Sequence, residues 1–165
     1  MATMKEAARD FLSHKCIAVA GVSRNPQNAA NYIYRKLRNE GYKVVAINPN
    51  ATSVEGDICY PNLKTVPEKP EAVVIVTKPE VTDMVVKDCT ELGINKIWMH
   101  RGMDGKGTSV SNEAVTFCHK HNINVIPGGC PMMFCPHADG GHKFIRWLMG
   151  ITGRLPKQFD WSNFL

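Results

Sequence analysis

The chain has 165 residues, with 20 Lys and Arg against 15 Asp and Glu, a formal net charge of +5, 44% apolar and 21% charged residues. That balance excludes a disordered or fibrous chain, and the length predicts one domain spanning 1–165. No apolar run approaches the ~18 residues of a membrane span, so no membrane partner is expected.

The first twelve residues have helical spacing, with Met4, Ala7, Ala8, Phe11 and Leu12 on one face. Glu6 and Asp10 interrupt them and there is no apolar stretch of the leader type, so a cytoplasmic protein is expected. Five short apolar runs then recur at intervals of about 24 to 29 residues: Cys16–Ala20, Val44–Ile47, Ala72–Val76, Ile97–Met99 and Asn124–Ile126. Continuous apolar character, without alternation, marks strands covered on both faces. Between them lie amphipathic patterns. Ile33 and Leu37 point inward in Ala30–Asn39, which Gly41 closes, and Val81, Met84, Val85, Cys89 and Leu92 form a stripe in Pro79–Leu92, which Gly93 closes. Thr77 and Glu80 have the spacing of a capping box, and Ala114, Phe117 and Cys118 face the core in Ser111–His121. The stretch from Asn50 to Lys69 carries Pro61 and Pro67 and is expected to be irregular or to hold a short helix. A last segment with Phe144, Trp147, Leu148 and Ile151 is expected to dock onto the sheet.

Strands alternating with helices predict an α/β fold: a single doubly wound, Rossmann-like parallel sheet of about five strands, helices on both faces, plus a C-terminal helix. The core is expected over 14–136, with 137–165 as docking helix and tail. The apolar tail, with Trp161, Phe164 and Leu165, predicts a homo-oligomer, the alternative being that it folds back on its own sheet.

In such sheets ligands bind beyond the carboxyl ends of the strands. The segments there read Gly21-Val22-Ser23-Arg24, Asn48-Pro49-Asn50, Thr77-Lys78-Pro79, His100-Arg101-Gly102 and Gly128-Gly129-Cys130-Pro131. Cations and hydroxyls beside helix N-termini suit phosphate. A dinucleotide such as NAD asks for Gly-x-Gly-x-x-Gly after the first strand and an acid after the second. Here Ser23 stands at the second glycine and Asn48-Pro49 replaces the acid, which argues against NAD. Gly105-Lys106-Gly107-Thr108 lacks the Gly-Lys-Ser/Thr order of a phosphate-binding P-loop and follows the fourth strand, so it reads as an ordinary loop. No run of Lys/Arg exceeds two residues, so no nucleic-acid partner is expected.

Taken together, Gly21-x-Ser23-x-x-Pro26, Gly41-Tyr42-x-Val44, Asn48-Pro49, Gly56 with Tyr60-Pro61, Pro79-Glu80 and Cys130-Pro131 resemble the CoA-binding domain family. That is the Rossmann-like module of the succinyl-CoA synthetase α-subunit and of small stand-alone bacterial and archaeal proteins. The resemblance runs from about Cys16 to Pro136. It implies coenzyme A or an acyl-CoA as cofactor and partner. The pyrophosphate would lie by Gly21, Val22, Ser23 and Arg24, and the adenosine end near Asn48, Pro49, Thr77, Lys78 and Pro79. Pantetheine would run towards His100, Cys130 and Pro131. Ligase members also carry a phosphohistidine domain and a β-subunit, for which this chain has no room, so a non-catalytic CoA-binding role is expected, with no catalytic residues.

Two alternatives stand beside it. One is an enzyme or enzyme subunit using CoA or another nucleotide, although no acid–base pair is visible. The other is a thiol-redox or metal site around Cys130, where Cys130, Cys135, His137 and His142 are spaced more loosely than in common zinc knuckles. The expectation is that no metal binds. The six cysteines form no disulfide framework, in keeping with a reducing compartment.

Overall fold

A computed structural model of the chain describes residues 2–102, 107–135, 137, 140–153 and 155. Seven strands form one sheet: β1 (Cys16–Ala20), β2 (Lys43–Ile47), β3 (Ser53–Val54), β4 (Asp57–Tyr60), β5 (Ala72–Ile75), β6 (Lys96–Met99) and β7 (Asn124–Pro127). Five helices accompany them: α1 (Met4–Leu12), α2 (Ala29–Asn39), α3 (Pro79–Glu91), α4 (Asn112–Lys120) and α5 (Gly140–Ile151). The spatial order is β3-β4-β2-β1-β5-β6-β7, and β3 with β4 is the antiparallel pair among otherwise parallel neighbours. With β3 set aside, this is the strand order of the doubly wound dinucleotide-binding fold. The chain winds outward from β1 through β2 and β4, then returns across β1 to build β5, β6 and β7. The order therefore reverses between β1 and β5.

Register makes that reversal useful. Ala20 pairs with both Ile47 and Ile75, Ile75 with Met99, and Met99 with Pro127. Five strands thus end on one line, and the segments after them form a continuous edge. Alternate side chains feed two cores. Ile17, Val19, Val74, Trp98 and Ile126 pack with α1 and α2, while Ala18, Ala20, Val73, Ile75, Ile97 and Val125 pack with α3 and α4. Coverage of both faces is why these strands read as unbroken apolar runs. On the first face, Phe11 meets Trp98 edge-on at 5.4 Å, and the Trp98 indole N–H donates to the Gly128 carbonyl at 3.0 Å.

Three expectations are corrected. The sheet has seven strands, not about five, because the stretch before Lys69 folds into the β3–β4 hairpin besides a short 3-10 turn at Leu63–Thr65. Glu55 and Gly56 form its two-residue turn with φ of 52° and 82°, the left-handed geometry that matches strand twist. Strands of two and four residues are too short to show a period. Glu55 is held in that conformation by Arg35 at 2.7 Å and by the Asn31 amide at 2.7 Å. The capping box also fails: Lys78 is the N-cap of α3 with no side-chain cap bond, and the Thr77 hydroxyl instead meets the Lys78 carbonyl and Thr82. Finally, the stripe of α5 does not dock. Phe144, Trp147 and Ile151 are 60%, 60% and 64% exposed and Leu148 is exposed too; the helix attaches through buried Met149 and through Arg146, which donates to the Met133 carbonyl at 3.0 Å. The Trp161–Leu165 tail and residues 103–106 lie outside the described residues. Among the described residues, no helix is long and apolar enough to cross a membrane.

Candidate functional site

Three cavities run along the carboxyl edge of the sheet. The central one, 530 Å³, lies between the N-termini of α2 and α3 and is lined by Asn28, Ala29, Thr77, Lys78, Pro79, His100, Thr108 and Ser109 among others. A second, 300 Å³, opens beside β1 and β2 and is lined by Gly21, Asn48, Pro49, Asn62, Thr77, Val81, Met84 and Val85. It shares Thr77 with the first. A third, 380 Å³, is lined by Ala29, Tyr32, Ile33, His100, Arg101, Gly102, Cys130, Met133 and His142, and shares Ala29, His100 and Gly102 with the central cavity. Together they trace one path across the reversal point.

The backbone explains the path. Gly21 has φ of +105°, and a Cβ there would overlap the carbonyl oxygen of Val76, so only glycine lets the ends of β1 and β5 approach this closely. Asn48 stands where a dinucleotide fold would hold its ribose-binding acid, but its amide donates to the Val22 carbonyl at 2.8 Å and its carbonyl oxygen accepts from Asn50 N–H at 2.8 Å. It therefore ties the first two loops together. Buried Asn31 does the same from below, accepting from Ser23 N–H at 2.9 Å and donating to the Ser23 carbonyl at 2.7 Å. Ser109, also buried, accepts from Thr77 N–H at 3.0 Å and joins the loop after β6 to the start of α3.

Electrostatically the central cavity favours an anion. Two helix N-termini face it, Asn28 caps α2 by accepting from Ala30 N–H, and the exposed Lys78 ammonium makes no ion pair among the described residues. His100 is different in kind. It is 7% exposed, its backbone N–H donates to Ile75 and its carbonyl accepts from Ser109 N–H, yet its imidazole makes no hydrogen bond among the described residues. Burial pushes its pKa down to about 4, so the ring is neutral near pH 7.

Of the residues singled out in the sequence, Gly21, Asn48, Pro49, Thr77, Lys78, Pro79, His100 and Cys130 line these cavities. Val22 and Pro131 are buried beneath the edge, and Ser23 spends its hydroxyl within the turn, bonding Asn25 N–H and its carbonyl. Arg24 is exposed and lines none of the three. Sequence reasoning missed Asn28, Tyr32, Ser109 and Met133; only Asn28, two residues before the helical pattern that begins at Ala30, carried a local signal. Around Cys130, the His137 ring lies 2.7 Å from Glu40 and His142 stacks on Tyr32. Among the described residues no three His, Cys, Asp or Glu side chains are placed to hold a metal.

Residues 15–136 match the family described as CoA binding domain. The chain belongs to that family. An ADP-forming acetate–CoA ligase II of Archaeoglobus fulgidus is 25% identical over 123 residues, covering 71% of this chain and 18% of the ligase. The chain thus spans about a fifth of the length of the curated relatives it matches. Among solved structures, a hypothetical protein from Pyrococcus horikoshii OT3 is 28% identical with a TM-score of 0.71, over 78% of this chain and 87% of its own. A dinucleotide forming acetyl-coenzyme A synthetase 1 of Ca. Korarchaeum cryptofilum, in complex with phosphate and ADP, is 27% identical with a TM-score of 0.60, over 74% of this chain and 27% of that one.

Proposed function

We propose that this member of the CoA binding domain family holds coenzyme A extended along the carboxyl edge of the sheet, and does so as a binding module without catalysis of its own. The observation that carries the proposal is the row of three connected cavities, polar and cationic in the middle and largely apolar at both ends. CoA has the same order of parts: a flat adenosine, a diphosphate, and a long pantetheine arm. The adenine would lie between Asn48-Pro49 and the Val81, Met84 and Val85 side chains. The diphosphate would occupy the central cavity, met by Lys78, by Thr77 and by the Ala29 and Glu80 N–H groups at the starts of α2 and α3, Pro79 having none to offer. Pantetheine would pass His100 towards Cys130. Gly21, Val22 and Pro131 shape the backbone under the ligand rather than touching it by side chain, and Ser23 with Arg24 lies in the loop after β1, outside the three cavities.

Titration calorimetry of the purified chain with CoA, NAD and ADP tests the proposal. CoA is expected to bind most tightly, because only CoA fills all three cavities. NAD binding as tightly as CoA refutes it. Native mass spectrometry of the protein as purified adds an independent readout, since CoA, NAD and zinc each give a distinct mass increment.

A further inference from the structure

The cavity at Cys130 differs from the rest of the path. Its walls are Ala29, Tyr32, Ile33, Cys130 and Met133, with Ile33 and Met133 each 1% exposed, and the Tyr32 and His142 rings stacked in parallel at 5.5 Å. Among the described residues no carboxylate and no lysine lines it. Arg101 reaches its rim, but it is exposed and its guanidinium lies against the Thr108 hydroxyl at 3.4 Å. Such a lining suits an uncharged, carbon-rich group.

His100 adds an independent requirement. Its imidazole is more than nine-tenths buried, lines this cavity, and makes no hydrogen bond among the described residues. Among those residues no fully buried side-chain nitrogen or oxygen lacks a partner, so the ring nitrogens remain reachable from outside, and His100 borders both this cavity and the central one. In a wall this apolar a ring nitrogen has few partners besides water, and a ligand oxygen can take that water's place. A thiol is a poor candidate, being a weak donor and a weak acceptor. A carbonyl oxygen is a good one, because a neutral imidazole N–H donates to it without bringing a charge into an apolar space.

We propose that this cavity takes the acyl end of a CoA thioester, with the His100 N–H donating to the thioester carbonyl and Ile33, Met133 and Tyr32 enclosing a short uncharged acyl chain, so that the chain binds acyl-CoA in preference to free CoA. The proposal rests on the placement of CoA given above. No bond forms or breaks; the thioester is bound and not cleaved.

Calorimetry with CoA, acetyl-CoA, butyryl-CoA and succinyl-CoA on the wild-type chain tests it. Each methylene buried is expected to raise affinity about fourfold, so butyryl-CoA binds at least about tenfold more tightly than CoA, with acetyl-CoA between them. His100→Phe keeps the ring volume and removes the donor. It is expected to weaken acetyl-CoA and butyryl-CoA alike by about fivefold while leaving CoA within about twofold and the ratio between the two thioesters unchanged, thermal melting showing that the variant is folded. If CoA binds and the thioesters bind no better, the acyl compartment is refuted while the CoA reading stands. Succinyl-CoA binding more tightly than butyryl-CoA overturns the uncharged chain and assigns Arg101 a carboxylate. If neither CoA nor any thioester binds, the placement of CoA itself falls, and this inference with it.

Discussion

Lys78 is the side chain on which the phosphate placement turns. It lines the central cavity, is exposed on its outer side, and has no acidic partner among the described residues, so its ammonium is available to a ligand. A charge-assisted hydrogen bond is worth about 1.5–3 kcal/mol, and exposure puts Lys78 at the lower end of that range. Lys78→Ala is therefore expected to weaken CoA binding about tenfold. The substitution leaves α3 intact, because Lys78 caps that helix by backbone alone, at φ −65° and ψ 150°, a conformation open to alanine. The Debye length falls from about 10 Å at 0.1 M salt to about 3 Å at 1 M, so the gap between wild type and variant shrinks to a few fold at high salt. Arg24→Ala is the internal comparison. Arg24 carries the same charge but lies outside the three cavities, and its removal is expected to cost about twofold or less. The assay is titration calorimetry on both variants at the two salt concentrations. An unchanged affinity in Lys78→Ala, or a larger loss in Arg24→Ala, refutes the central cavity as the phosphate site and moves the diphosphate to the loop after β1.

Three further outcomes are expected. Gly21→Ala combines a left-handed backbone, costing about 1–2 kcal/mol, with an overlap against Val76 worth about 1–3 kcal/mol more, so calorimetric melting falls by about 6 °C or more; an unchanged Tm contradicts the close approach of β1 and β5. Because burial lowers the His100 pKa to about 4 while the unfolded chain keeps about 6.5, the unfolded state binds the extra proton between those values; the contribution of about 2–3 kcal/mol is present above pH 6.5 and is lost as pH falls to 4. Denaturant titrations across that window should show a flatter profile for His100→Gln, and parallel profiles count against the buried neutral ring. Of the six buried cysteines Cys130 is the one that lines one of the three cavities, so CoA disulfide is expected to form a mixed disulfide at Cys130 and to release one CoA thiolate. Intact mass checks this, and an adduct persisting in Cys130→Ser sinks it.

Five of the seven strands were legible in the residue order, since a strand buried on both faces must be apolar throughout, and Cys16–Ala20 or Ala72–Ile75 satisfies that locally. That Gly21, Asn48-Pro49 and Lys78 line the cavities was legible for a related reason: in a doubly wound fold, the residues after each strand lie at the carboxyl edge of the sheet. The β3–β4 hairpin was not, because its strands are shorter than any period and are held from outside, by Arg35 and Asn31 of α2. Nor was the outward face of α5, where Phe144, Trp147 and Ile151 have the spacing of a core stripe but the helix is anchored by Met149 and Arg146. The wall of the acyl compartment was the least legible feature. Tyr32, His100, Met133 and His142 meet there only because β1, β5, β6 and β7 end in register and α2 crosses above them, and no local pattern encodes a meeting of residues a hundred positions apart.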